Sequence, residues 1–85
     1  MGVRDRIERK LTDAFQPTHL EVVDDSEAHR GHAGYREGGE THFRVDIRSD
    51  AFLGQSRVAA QRAVYKVLAE ELAGPVHALQ LQARA

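Results

Sequence analysis

The sequence predicts a small α+β domain, and three patterns carry that prediction. They are a one-sided helical stripe near the start, a strictly alternating segment at the centre, and a second amphipathic helix between that segment and a last strand. Val3, Ile7, Leu11 and Phe15 recur every fourth residue with Ala14 on the same side, while Arg4, Asp5, Arg6, Glu8, Arg9 and Lys10 fill the positions between. That spacing lines one face of a helix with apolar groups. Pro17 ends it, because the residue before a proline is biased away from helical geometry. Leu20-Glu21-Val22-Val23-Asp24 then reads as a short strand. From Ser26 to Gly39, four glycines (Gly31, Gly34, Gly38 and Gly39) lie among polar residues, which reads as a loop.

The clearest strand runs from Thr41 to Ser49. Phe43, Val45 and Ile47 alternate with His42, Arg44, Asp46 and Arg48, so one face is buried and the other is wet. Ser49 to Gly54 resembles a single capped helical turn closed by glycine. A helix is expected from about Arg57 to Leu72, with Ser56 as N-cap, a stripe of Val58, Val64, Tyr65, Leu68 and Leu72, and Gly74-Pro75 as its stop. Val76 to Ala83 is the last strand, in which His77, Leu79, Leu81 and Ala83 share the core-facing parity. The first two strands pair as an antiparallel hairpin. The crossover through the second helix places the third strand parallel to the second, with a right-handed connection. Both helices then cover one face of a three-stranded mixed sheet, and the other face stays polar.

At 85 residues the chain is expected to be one domain, residues 1–85, too small to enclose a catalytic cavity with its supporting shells. A non-enzymatic role follows as the expectation. Charged residues make up 29% and hydrophobic ones 41%, an ordinary globular balance with no run of membrane-spanning length. Met1-Gly2-Val3-Arg4-Asp5 leads straight into the charged helix without an apolar signal core, so a cytoplasmic protein is expected. The net charge of −1 gives no general attraction to nucleic acid. The charge is uneven, however: the stretch from Glu21 to Glu40 is acidic, whereas Arg57, Arg62 and Lys66 fall close together. No cysteine is present, so the chain supplies neither a disulfide nor a thiolate ligand, and attention moves to its five histidines.

Four separated motifs resemble the BolA family, in the family's order. They are Leu20-Glu21-Val22-Val23-Asp24-Asp25-Ser26, Gly39-Glu40-Thr41-His42-Phe43, Phe52-Leu53-Gly54-Gln55-Ser56-Arg57-Val58, and Leu72-Ala73-Gly74-Pro75-Val76-His77-Ala78-Leu79. The resemblance runs from about Val3 to Ala83. It implies a class II KH-like αββααβ fold, in agreement with the order read from the patterns. It also implies a heterodimeric partnership with a monothiol glutaredoxin of the CGFS type, the chain alone being monomeric. In such a pair the glutaredoxin and glutathione supply sulfur to a shared [2Fe–2S] cluster and this chain supplies nitrogen. No cofactor is expected on the isolated protein.

His77 matches the family's C-terminal ligand histidine. The second ligand of the family lies in the glycine-rich loop, where His29 fits the spacing from Asp25-Ser26 and His32 fits members with a Gly-His pair; both stay open. Imidazole can replace thiolate at one iron of such a cluster and raises its reduction potential. Only neutral imidazole coordinates, so acid competes with binding. His29-x-x-His32 alone would leave a tetrahedral zinc site half filled. His42 shares the wet face with Arg44 and is given no ligand role, and His19 reads as a turn residue. No nucleophile–base pair, phosphate-binding glycine loop or paired carboxylates in a pocket can be found. The alternative is a DNA-binding regulator built on the KH-like fold, using Arg57, Arg62 and Lys66, with Arg62 and Lys66 on one helix face. A KH clamp needs Gly-x-x-Gly, and here the stretch reads Gly54-Gln55-Ser56-Arg57, without its second glycine.

Overall fold

A computed structural model describes residues 2–24 and 42–85. Helix α1 spans Val3–Phe15, β1 His19–Asp24 and β2 His42–Arg48. A 3-10 turn follows at Asp50–Phe52, then α2 at Arg57–Val67, α3 at Ala69–Ala73 and β3 at Ala78–Arg84. The order is the expected αββααβ. The sheet runs β1-β2-β3, with β2 antiparallel to β1 and parallel to β3.

In α1, Ile7 and Leu11 are buried while Val3 and Phe15 pack partly against the core. Ala14, expected on the same side, is exposed; at the end of the stripe it has rotated past the sheet. Gln16 ends the helix in the left-handed region (φ 41°), its amide donating to the Thr12 carbonyl, just before Pro17. Phe43, Val45 and Ile47 of β2 are almost completely buried, as a central strand requires. They meet Ile7, Leu11, Ala60, Val64 and Leu68, so the helices cover one face of the sheet.

The second helical segment departs from its expected stripe. Val58 is 53% and Tyr65 39% exposed, and the buried positions are Ala60, Val64 and Leu68. The alanine is what allows α2 to lie close to the sheet, and bulk at Val58 and Tyr65 misled the pattern. The helix also breaks at Leu68 (φ −97°, ψ 18°), so the expected Arg57–Leu72 helix is two pieces. The caps are where the sequence placed them. Ser49 Oγ accepts from the Ala51 amide, and Ser56 Oγ accepts from the Ala59 amide at 3.1 Å. Ser49 is itself buried and donates its hydroxyl to the Phe15 carbonyl, tying the end of α1 to the exit of β2. Rings of Phe15 and Phe52 close the same corner, 5.0 Å apart. Among the described residues, no helix is long and apolar enough to cross a membrane.

Among the described residues, one buried group is a carboxylate. Glu71 in α3 is fully buried, and its carboxylate accepts from Arg6 Nη2 at 2.8 Å and Lys10 Nζ at 3.0 Å, both from α1. Burial opposes ionisation of this carboxyl. The Lys10 hydrogen bond, the Glu71 backbone amide and the charges of Lys10 and Arg6 outweigh it, and hold the group below the usual glutamate value of 4.5. A carboxyl lowered in the folded state stabilises fully above its unfolded pKa, and that contribution is lost as pH falls through the folded value. Glu71→Gln is expected to cost about 2 kcal/mol at pH 7. This is less than the roughly 3–5 kcal/mol for breaking a fully buried pair, because Arg6 and Lys10 keep contact with water. Urea unfolding from pH 7 to pH 3 checks it: the gap between wild type and variant should close below about pH 4.5.

Candidate functional site

The register of β2 against β3 assembles the site. His42, the first residue of β2, lies opposite Ala78, the first of β3, so His77 arrives just ahead of the ladder beside His42. The two imidazole rings are 6.2 Å apart, centroid to centroid, at an interplanar angle of 56°. His77 is exposed, whereas His42 is only 7% exposed. The turn before His77 is fixed from behind. The Glu71 carbonyl accepts the Val76 amide at 2.9 Å and the Gly74 amide at 3.3 Å, and Val76 is buried in the core. An exposed imidazole is thus mounted on a rigid support.

Parity placed His77 on the core face, and the structure corrects this. Pairing begins at Ala78, so strand alternation does not govern the residue before it. The expected strand also shifts, from Val76–Ala83 to Ala78–Arg84, and its Leu79 and Leu81 are only half-buried because β3 is an edge strand. His42 was read as a wet-face residue without a role. By register it does share the face of Arg44 and Asp46, yet it is buried next to His77. The signal that could have found it was available: an antiparallel–parallel order with a strand starting near His42 and another starting near His77 brings both to one end of the sheet.

His29 and His32 lie outside the described residues. The segment that carries them leaves β1 at Asp24 and enters β2 at His42, and Asp24 pairs with Phe43, so both its ends are at the His77 end of the sheet. His19 is at the other end, opposite Arg48, with its Nε2 3.7 Å from the Asp46 carboxylate. Among the described residues, no three His, Cys, Asp or Glu side chains gather as a metal site. The described donor set is therefore two imidazole nitrogens and no sulfur, enough for part of a coordination sphere and too little to complete one.

Arg57, Arg62 and Lys66 are all exposed on α2, and the four-residue spacing puts Arg62 and Lys66 on one face of it. Gly54 has φ +77° and turns the chain into the helix, while Ser56 caps α2 and Arg57 is its first residue. The position of the second clamp glycine is thus consumed by the start of the helix, and the described turn into α2 carries no Gly-x-x-Gly to grip a nucleic-acid backbone.

The described residues form a small α+β domain, a three-stranded mixed sheet with helices on one face and a histidine pair at one end. The chain belongs to the BolA-like protein family, whose model matches residues 11–85. It is 49% identical over 81 residues to the DNA-binding transcriptional regulator BolA of Escherichia coli, covering 95% of this chain and 73% of that one. Among solved structures it superposes on BolA1 from Arabidopsis thaliana with a TM-score of 0.87 at 33% identity, covering 99% and 92% of the two chains. It superposes on the BolA domain of SufE1 from the same plant with a TM-score of 0.83 at 42% identity, covering 95% and 88%.

The burial difference between the two histidines has a direct consequence. His77→Ala is expected to change stability by no more than about 0.5 kcal/mol, the usual range for an exposed position, whereas His42→Ala costs about 1–2 kcal/mol. Denaturant midpoints of the two variants, at unchanged slope, test this.

Proposed function

We propose that this protein is a non-enzymatic partner of a CGFS monothiol glutaredoxin, and that His77 supplies a nitrogen ligand to a [2Fe–2S] cluster held between the two chains. The observation that supports this most is an exposed His77 on a fixed turn, beside His42, in a chain with no cysteine and an incomplete donor set. The donor chemistry fits: one iron of such a cluster accepts imidazole, and the sulfur ligands must come from elsewhere, here the glutaredoxin and its glutathione. When bound, the cluster would supply electron transfer or be passed on as cargo. This chain's part is to present neutral imidazole and to orient it. His77 does the presenting, and His42 limits the tilt of its ring. His29 or His32 would be the second ligand, since the segment carrying them starts and ends at this end of the sheet. The requirement for neutral imidazole makes the heterocomplex weaker in acid.

Mixing the protein with cluster-loaded CGFS glutaredoxin is expected to change the visible absorption and circular dichroism of the cluster. His77→Ala should abolish the change while its far-UV dichroism stays as in wild type. A His77→Ala spectrum identical to the wild-type mixture would overturn the assignment.

A second reading rests on the name of the Escherichia coli relative, a DNA-binding transcriptional regulator. The exposed cations Arg57, Arg62 and Lys66 would then contact phosphates. With three such contacts the affinity for duplex DNA should fall about 40-fold between 50 and 200 mM salt, on a slope near −0.9 per phosphate. An Arg62→Ala/Lys66→Ala variant would lose most of that salt dependence. Gel shifts of duplex DNA that are absent at low salt, or unchanged in the double variant, count against this reading.

A further inference from the structure

We propose that the groove between α2 and the outer edge of β3 is a docking site for an extended peptide segment with alternating acidic and apolar residues, which adds a fourth strand to the sheet. This goes beyond the histidine reading and does not rest on it. The strand order leaves β3 at an edge, with β2 on its inner side and, among the described residues, no strand on its outer side. An edge strand presents a row of backbone donors and acceptors spaced for another strand. Alongside that edge lies a cavity of about 510 Å³. Half-buried Leu81 supplies its apolar patch, with Phe52 and Ala60 lying beneath it almost fully buried, and the exposed residues Arg57 and Arg84 line it. Among the described residues no acidic side chain lines it, although the chain as a whole carries a net charge of −1.

Those features select the occupant. A strand added to β3 would run about 4.8 Å from it, and its alternate side chains would point into the groove. Small apolar side chains match the patch at Leu81, and carboxylates match the two arginines through charge-assisted hydrogen bonds. Single-stranded nucleic acid fits less well. It needs an aromatic face on which to stack its bases, and Phe52, the aromatic of this groove, is only 3% exposed. The groove lies by the Arg84 end of β3, and His77 precedes the opposite end.

The test is fluorescence anisotropy with a fluorescein-labelled heptapeptide, Glu-Val-Glu-Val-Glu-Val-Glu, and two versions N-methylated along one backbone edge or the other. The parent peptide is expected to bind saturably. An Arg57→Ala/Arg84→Ala variant should weaken it at least tenfold, and one of the two methylated peptides should lose at least tenfold because its pairing edge is blocked. Amide chemical-shift changes should concentrate at Leu81–Arg84 and Arg57–Gln61. Equal binding of both methylated peptides, or of hepta-glutamate, would reduce the site to unspecific charge attraction and overturn the proposal. So would tighter binding of a seven-nucleotide oligothymidylate, or no saturable binding of the parent peptide at millimolar concentration. None of these probes contains a metal or a glutaredoxin, so failure here leaves the histidine site untouched.

Discussion

The buried carboxylate of Glu71 is the interaction on which the functional end of the domain depends. Its side chain takes the cations of Arg6 and Lys10 from α1, and its carbonyl takes the amides of Gly74 and Val76 from the turn before β3. One residue therefore fixes both the docking of α3 on α1 and the path of the chain into His77. A hydrophobic residue at this position could fill the space at similar cost or less. It could not accept the cations of Arg6 and Lys10, although the backbone carbonyl that takes the amides of the turn is present with any side chain. Here the polar solution supplies a defined geometry as well as burial.

The sheet converts that local order into a site. As the central strand, β2 is paired on both sides, and its register is fixed by Phe43, Val45 and Ile47 facing the helices. A slip by one residue would turn all three to the polar face. The same register holds His42 opposite Ala78 and so sets the 6.2 Å separation of the two rings. The apolar core thus positions polar groups that lie outside it, and it does so through strand pairing, which is more rigid than a loop could be.

Much of this was legible in the sequence, and the failures have a common form. The α1 stripe, the alternation of β2, both serine caps and the Gly74-Pro75 stop are local signals, and each lies where its residues indicated. What was missed depends on partners far along the chain. Ala60 is core and Val58 is not, because the closeness of α2 to the sheet selects a small side chain. Glu71 carries no sequence mark of burial, since charged residues are ordinarily on the surface and its partners are on another helix. His42 was assigned by alternation alone, which gives the face of a strand but not what stands beside its end. His77 was recognised through its motif and misplaced by its parity, one residue before the ladder begins.

A domain of this size has little interior, so the groups that would meet a partner are sought at its surface. At the histidine end the described residues hold two imidazoles, no sulfur and no cluster of three or more His, Cys, Asp or Glu side chains. A free metal ion gains little from two imidazoles, whereas a cluster already held by a partner's sulfur gains a ligand of different basicity and a higher potential. In the proposed role, such an arrangement would favour a loaded partner over a free metal. Selectivity of this kind comes from what the chain lacks as much as from what it holds. A cysteine at position 77 in place of histidine would erode it, because thiolate binds soft free metals on its own account.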